Sequence, residues 1–292
     1  MFFTTVLMGE DLKVVVANKT KDQFFTMDKL AEALQFEPFA DLMEFIFDHE
    51  DDMIEQIGKY IESNKGNLDI NTVEMLPAIP YPLRNVFCVG KNYKDHVEEM
   101  GANAELPKSP VYFSKAAFIS SGPEDEISTY SQGDHFADYE AELIVVMGKE
   151  ACNAEKEDVE DLIFGYAAGN DFTIRDTQME RGQWYFGKSY DGHFAMGSWI
   201  AHKSMFDFPI EVDVKCTVNG EVRQNANTRL FIFDIPTVIS DITTGITLYP
   251  GDMIMTGTPS GVGMAMKKQL KPGDKVVTEV TGIETFENTM VE

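Results

Sequence analysis

The residues best suited to chemistry are carboxylates set against apolar sequence. In "DYEAELIVVMGK", residues 138–149, Glu140 and Glu142 lead into a continuous apolar run, Leu143 to Met147. Such a run reads as a strand. Residues two apart in a strand share one face, their Cα atoms roughly 6.5–7 Å apart. Two Glu side chains can converge from that spacing, and they repel unless a cation joins them. The pair therefore admits two readings, a solvated strand face or one side of a cation site. A third carboxylate, Asp171 in "GYAAGNDFTIRD", follows the small-residue stretch Tyr166 to Gly169, where another element can approach closely. Three carboxylates offer oxygen ligands only, which suits Mg²⁺, Mn²⁺ or Ca²⁺ and leaves positions open for water or substrate. Arg175 and Gln178 follow as candidate binders of an anion and a carbonyl.

A second constellation lies in "VGKNYKDHVEEMG", residues 89–101. His96 and Glu99 stand at i, i+3 and share one face of a short helix. A Glu beside a His fixes its tautomer and raises its basicity, as a general base requires; the same spacing also occurs on ordinary surface helices. His49, His135, His193 and His202 show no comparable pairing and read as structural or surface residues. The segment "GQWYFGKS", Gly182 to Ser189, matches the phosphate-loop expression G-x-x-x-x-G-K-[ST]. A phosphate loop needs small residues between a strand and a helix. Here Trp184, Tyr185 and Phe186 fill the middle and polar sequence precedes it, so a nucleotide-dependent enzyme is set far behind.

The elements that must position these residues fall into two parts. Residues 1–75 read as a small α+β unit, with strands Thr5 to Met8 and Leu12 to Ala17 around "GED" and one or two helices in 38–66, where apolar positions recur at helical spacing. The Pro-rich stretch 76–83 reads as a linker. Residues 84–292 are mostly β. "RNVFCVG" is a strand, Asn219-Gly220 signals a hairpin, and "YPGDMIMTG" and "KPGDKVVTEV" each place a turn before a strand. Helices are expected at Lys94 to Met100, Ala154 to Phe164 and about Ile235 to Gly245, with Pro236 in a first turn.

The 292 residues carry 49 acidic against 24 basic side chains, a net charge of -25, which disfavours nucleic acid and anionic membranes as partners. No apolar stretch reaches the roughly 18 residues a membrane helix needs. Cys88, Cys152 and Cys216 form no CxxC and suit free thiols in a reducing cytoplasm.

Taken together, "VGKNYKDHVEEMG", "PVYFSKA", "DYEAELIVVMGK", "GYAAGNDFTIRDTQ", "GKSYDGHFAMGSWI", "TVNGEVRQNANT" and "GDMIMTGTPSGVG" resemble, in order, the fumarylacetoacetate hydrolase family. The resemblance covers about residues 80–292. It implies a predominantly β α+β fold, a mixed β-roll curled around a metal centre, in homodimers. It implies metal ligands Glu140, Glu142 and Asp171, a lid pair His96–Glu99, an active-site Lys188, and substrate contacts from Lys91, Asn92, Lys115, Arg175, Gln178 and Thr258. Lys91 stands where many relatives have Arg, which exchanges a bidentate fork for a point charge. The implied activity is divalent-metal-dependent cleavage of a C–C bond in a 2-oxo acid through a metal-stabilised enolate, as in acylpyruvate hydrolysis. The same chemistry serves oxaloacetate decarboxylation and isomerisation of a hydroxymuconate-type diacid. A non-catalytic binder of cation and 2-oxo acid is the alternative of another class.

Overall fold

A computed structural model describes residues 1–101, 105–133 and 135–292. The apolar run is the strand Ala141–Met147, and all seven of its residues are buried. Its two faces meet different partners. Leu143, Val145 and Met147 pack with Val214, Cys216, Val276 and Phe286, whereas Ile144 and Val146 pack with Leu30, Phe45, Ile54 and Ile57. A strand covered on both sides has no reason to alternate polar with apolar, which explains the unbroken run.

This strand lies near the middle of an eleven-stranded sheet among the described residues. It pairs antiparallel with Ile163–Asp171 on one side and Met253–Met255 on the other; beyond the latter come Val86–Gly90, in parallel, and Val111–Lys115. On the far side of Ile163–Asp171 lie Phe194–Met196 and Ile200–His202. Phe2–Met8 then pairs with Ile200–His202, matching Phe2 to Ala201 and Phe3 to Ile200, so the N-terminal strands extend the central sheet. A five-stranded sheet built from Glu221–Asn227, Asp213–Val218, Lys275–Val280, Glu284–Val291 and Glu126–Ser128 covers one face. The molecule is a strand-dominated α+β fold whose sheets remain open.

Local signals hold where chain chemistry is explicit. Asn219 and Gly220 take φ of 51° and 79°, the double left-handed turn of a tight hairpin. The helical region in 38–66 forms two helices, Leu42–Asp48 and Asp51–Ser63; Asp41 caps the first by accepting the Glu44 N–H at 2.8 Å. The helix expected over Ala154 to Phe164 is shorter. Only Val159–Leu162 is α-helical, after a single 3₁₀ turn, and Ile163 already pairs with Met147 in the sheet. Burial of Ile163 and Phe164 against the central strand outweighs the local helical pattern. A further helix, Met27–Leu34, begins at the Thr26 cap.

Candidate active site

The antiparallel register between Ala141–Met147 and Ile163–Asp171 creates the acidic cluster. It sets Gly169 opposite Glu142, while the Asp171 N–H donates to the Glu140 carbonyl at 2.8 Å. A Cβ on Gly169 would come within 2.5 Å of Ile144, so this strand approaches as closely as its small residues allow. Glu140, Glu142 and Asp171 are all buried and offer oxygens within 4.8 Å of one another.

Cations from separate elements surround this triad. Lys188, at the end of the short helix Tyr185–Lys188, places Nζ 2.6 Å from Glu140 and 2.7 Å from Asp171. Arg175 pairs with Glu140 at 2.6 Å and with Asp138 at 2.8 Å. Lys115 pairs with Asp171 and donates to the Phe172 carbonyl at 3.0 Å. Burial alone would raise the Glu140 carboxyl; Lys188 and Arg175 outweigh it and hold the pKa down to about 2. Glu142 differs. It accepts the Gly257 N–H at 2.7 Å but has no cationic partner among the described residues. Burial, then the charges of Asp171 and Glu140, push its carboxyl well above the usual range. For Lys188, attraction to Asp171 and Glu140 exceeds the burial penalty and favours the ammonium; for Lys115 burial prevails and its pKa falls.

A divalent metal fits this donor set. The three carboxylates are hard oxygen ligands within mutual reach, and one of them lacks a compensating charge. Glu140, Glu142 and Asp171 are the side chains that would hold it.

Glu140 and Glu142 of the triad open onto a cavity of about 340 Å³ lined on the polar side by these two and by Lys91, His96, Arg175, Gln178, Lys188 and Thr258. His96 is buried on the helix Lys94–Glu99, and its Nδ1 lies 2.7 Å from Glu99 Oε1. Glu99 Oε2 accepts the Gly261 N–H at 2.8 Å, fastening this helix to the loop after Thr258. With Nδ1–H directed at Glu99, Nε2 is the basic ring nitrogen. Lys91, at the rim, has a left-handed φ of 57°.

Four residues expected at the site, Asn92, Lys115, Glu99 and the triad's own Asp171, do not line the cavity among the described residues. Asn92 ties the chain together, donating to the carbonyls of Phe233 and Thr256 and accepting the Phe233 N–H. Lys115 lies beneath Asp171, and Glu99 behind His96. The walls not anticipated are apolar: Val97, Met100, Phe113, Met179 and Trp184. Trp184 leaves no room for a Cβ on Gly90, which would meet its ring at 2.4 Å. Asp138 was also missed, although it continues the alternation of Glu140 and Glu142. The phosphate-loop match proves coincidental in shape: Gly187 packs on the Gln178 backbone, where a Cβ would meet nitrogen at 2.4 Å, and Lys188 is consumed by carboxylates. His135, expected without a partner, pairs with Asp176 at 2.5 Å across 41 residues, beyond the reach of local spacing.

Comparisons with known proteins point to one family. Residues 85–291 match the family model described as fumarylacetoacetate (FAA) hydrolase C-terminal. The chain is 35% identical over 291 residues, 97% of its length and 94% of the relative's, to the oxaloacetate tautomerase YisK of Bacillus subtilis. It is 35% identical over 235 residues, 79% and 72% of the two lengths, to the mitochondrial oxaloacetate tautomerase fahd2 of Xenopus laevis. Among solved structures, a fumarylacetoacetate hydrolase from Exiguobacterium antarcticum superposes with a TM-score of 0.81 at 31% identity, covering 100% of this chain and 99% of that one. A protein described as a putative HpcE from Mycobacterium smegmatis gives 0.84 at 28%, with the same coverage. With its acidic triad, its cation ring and a matched segment running from Asn85 to Val291, the chain belongs to the fumarylacetoacetate hydrolase family.

Proposed function

We propose that this protein is a divalent-metal-dependent enzyme acting on 2-oxo acids through their enol forms, with keto–enol conversion of a 2-oxo diacid such as oxaloacetate as its first reaction. One observation carries the reading: a basic imidazole, a buried ammonium and two carboxylates, Glu140 and Glu142, face one cavity, with Asp171 clustered behind them. The names of two relatives point to the same substrate. A bound Mg²⁺ or Mn²⁺ supplies a Lewis acid that stabilises negative charge developing on a substrate oxygen. Lys188 adds a fixed positive charge beside that oxygen. Arg175 and Gln178 orient the substrate carboxylate, and Thr258 and Lys91 bound its far end. His96 Nε2 takes a proton from C3, Glu99 stabilises the imidazolium through Nδ1, and the imidazolium returns that proton to the C2 oxygen to complete the enol. The apolar walls limit the entry of water.

A second reading, acylpyruvate hydrolysis, is favoured by those same walls, because Val97, Met100, Phe113, Met179 and Trp184 suit an apolar acyl tail better than a second carboxylate. There His96 would take a proton from the water that attacks the distal carbonyl; the C3–C4 bond breaks, releasing pyruvate and a carboxylic acid. Oxaloacetate decarboxylation and isomerisation of a hydroxymuconate-type diacid draw on the same enol chemistry. A panel of oxaloacetate, acetylpyruvate and a longer acylpyruvate, with Mg²⁺, Mn²⁺ or EDTA, separates them. Enol absorbance reports tautomerisation and pyruvate release reports cleavage. Binding without turnover of any member would leave the non-catalytic alternative.

The catalytic unit proposed is 84–292, with 1–75 an appended N-terminal unit joined through 76–83. A homodimer is proposed on the neighbouring exposed side chains Tyr81, Leu83, Phe118 and Ile119. A reducing, cytoplasmic setting is proposed on the three unpaired thiols. Among the described residues, no helix is long and apolar enough to cross a membrane.

A further inference from the structure

In a chain with a net charge of -25, the stretch "MKKQLKPGDK", residues 266–275, is unusually basic. The fold brings Lys267, Lys268 and Lys271 to one cavity with Arg223 of the strand Glu221–Asn227. The cavity has a volume of about 570 Å³ and lies apart from the residues of the active-site cavity. Two carboxylates oppose these four cations. Glu221 pairs with Arg223 at 3.0 Å and with Lys268 at 2.6 Å. Asp274 accepts the Lys271 backbone N–H and the Asn219 side-chain amide, each at 2.8 Å. Among the described residues, Lys267 and Lys271 pair with no carboxylate at this cavity, and the buried Arg223 Nε has no hydrogen-bond partner. A cavity lined by a guanidinium and by two ammonium groups without carboxylate partners is a site for an acceptor-rich anion.

We propose that this cavity binds a phosphate group, carried on a small metabolite or free, and that its occupancy is felt at the active-site loop. Arg223 and its neighbour provide the connection. The Arg223 backbone packs so closely on Gly261 that a Cβ there would lie 1.9 Å from the Arg223 carbonyl. Gln224 donates to Thr258 Oγ1 and to the Pro259 carbonyl, both at 2.8 Å. The Gly261 carbonyl accepts the Tyr139 hydroxyl at 2.8 Å, and the Arg223 guanidinium lies beside that phenol, opposing by charge and hydrogen bonding the upward push of burial on its pKa. Gly261 in turn donates its N–H to Glu99, the partner of His96. An anion that fixes Arg223 therefore steadies the residue that holds the lid helix closed. Binding at the cavity stands by itself; its consequence for turnover rests on the function proposed above.

The test is calorimetric titration of the metal-free full chain with inorganic phosphate and with glycerol 3-phosphate at fixed ionic strength. Saturable binding is expected, weakened at least tenfold by Arg223→Gln and by the doubly substituted Lys267→Gln/Lys271→Gln, and unchanged by Lys91→Gln at the active-site rim. Tighter binding of the ester identifies a metabolite as ligand; equal binding identifies free phosphate. Amide exchange at Gly261 should slow severalfold on binding in the wild type and not in the Lys267→Gln/Lys271→Gln protein. Absence of saturable binding, or binding lost only with Lys91→Gln, overturns the site, and an unchanged Gly261 amide overturns the coupling. Should no 2-oxo acid be turned over, the functional reading fails while the titration still decides the site.

Discussion

Glu142 is set apart from Glu140 and Asp171 by its neighbours: they hold Lys188, Arg175 and Lys115, while it holds one backbone N–H. A divalent ion would supply the charge it lacks. Chelation with EDTA is therefore expected to abolish turnover, and added Mg²⁺ or Mn²⁺ to restore it, as followed by enol absorbance or pyruvate release. Asp171→Ala should remove metal binding in calorimetry. His96→Ala should behave differently, keeping metal affinity while kcat falls by roughly 10²–10⁴, the usual range for a lost general base. Equal loss of metal binding in both variants would deny His96 a separate role. The types and spacing of these residues were readable in the chain, as was the His96–Glu99 pair, but the cationic partners of the carboxylates were not. Lys188 and Lys115 reach Asp171 from 17 and 56 residues away, and no local pattern encodes such meetings.

Elements decide how firmly the residues are held. The helix Lys94–Glu99 is latched by one hydrogen bond from Gly261, whose φ of 104° is open to glycine and strained for other residues. Gly261→Ala meets both that strain and the Arg223 carbonyl. A loss of about 1–3 kcal/mol is expected in urea unfolding, together with a fall in kcat as Glu99 is released. The helix over Ala154 to Phe164 shows why element boundaries were harder to read than element types. Ile163 and Phe164 carry apolar side chains that suit either state, and only the partner strand ending at Met147 selects the extended one.

Over the whole molecule, charge and burial work against each other. Glu284 packs against Gly197, accepts the Trp199 N–H at 3.0 Å, and has its pKa pushed up to about 7 by burial, against the pull of Lys21. Its folded pKa exceeds its unfolded value, so the folded state binds the proton more tightly. That contribution to stability is fully present below the unfolded value near 4.5 and is lost as pH rises through about 7. Buried His193 and His202, whose pKa values burial lowers to about 3, act in the opposite direction, so the contribution of Glu284 is read by difference: Glu284→Gln should gain thermal stability relative to the wild type as pH rises from 4.5 to 7, and a constant difference would remove Glu284 as a cause. Self-repulsion from the net charge of -25 adds a salt dependence, and the melting temperature is expected to rise as low-salt buffer is brought to physiological ionic strength.

The sequence by itself determined the central strand, the hairpin at Asn219-Gly220, the helical region in 38–66 and the order of the family's motifs, because each depends on neighbours a few residues apart. Tertiary structure alone decided that Gly169 stands opposite Glu142, that Lys115 and Asn92 brace the site from outside the cavity, and that Trp184 and Met100 wall it. It also joined Phe3 to Ile200, continuing the N-terminal strands into the main sheet. These are pairings over long separations, chosen by which apolar faces and buried charges can be satisfied together, and that choice exists only once the sheets have formed.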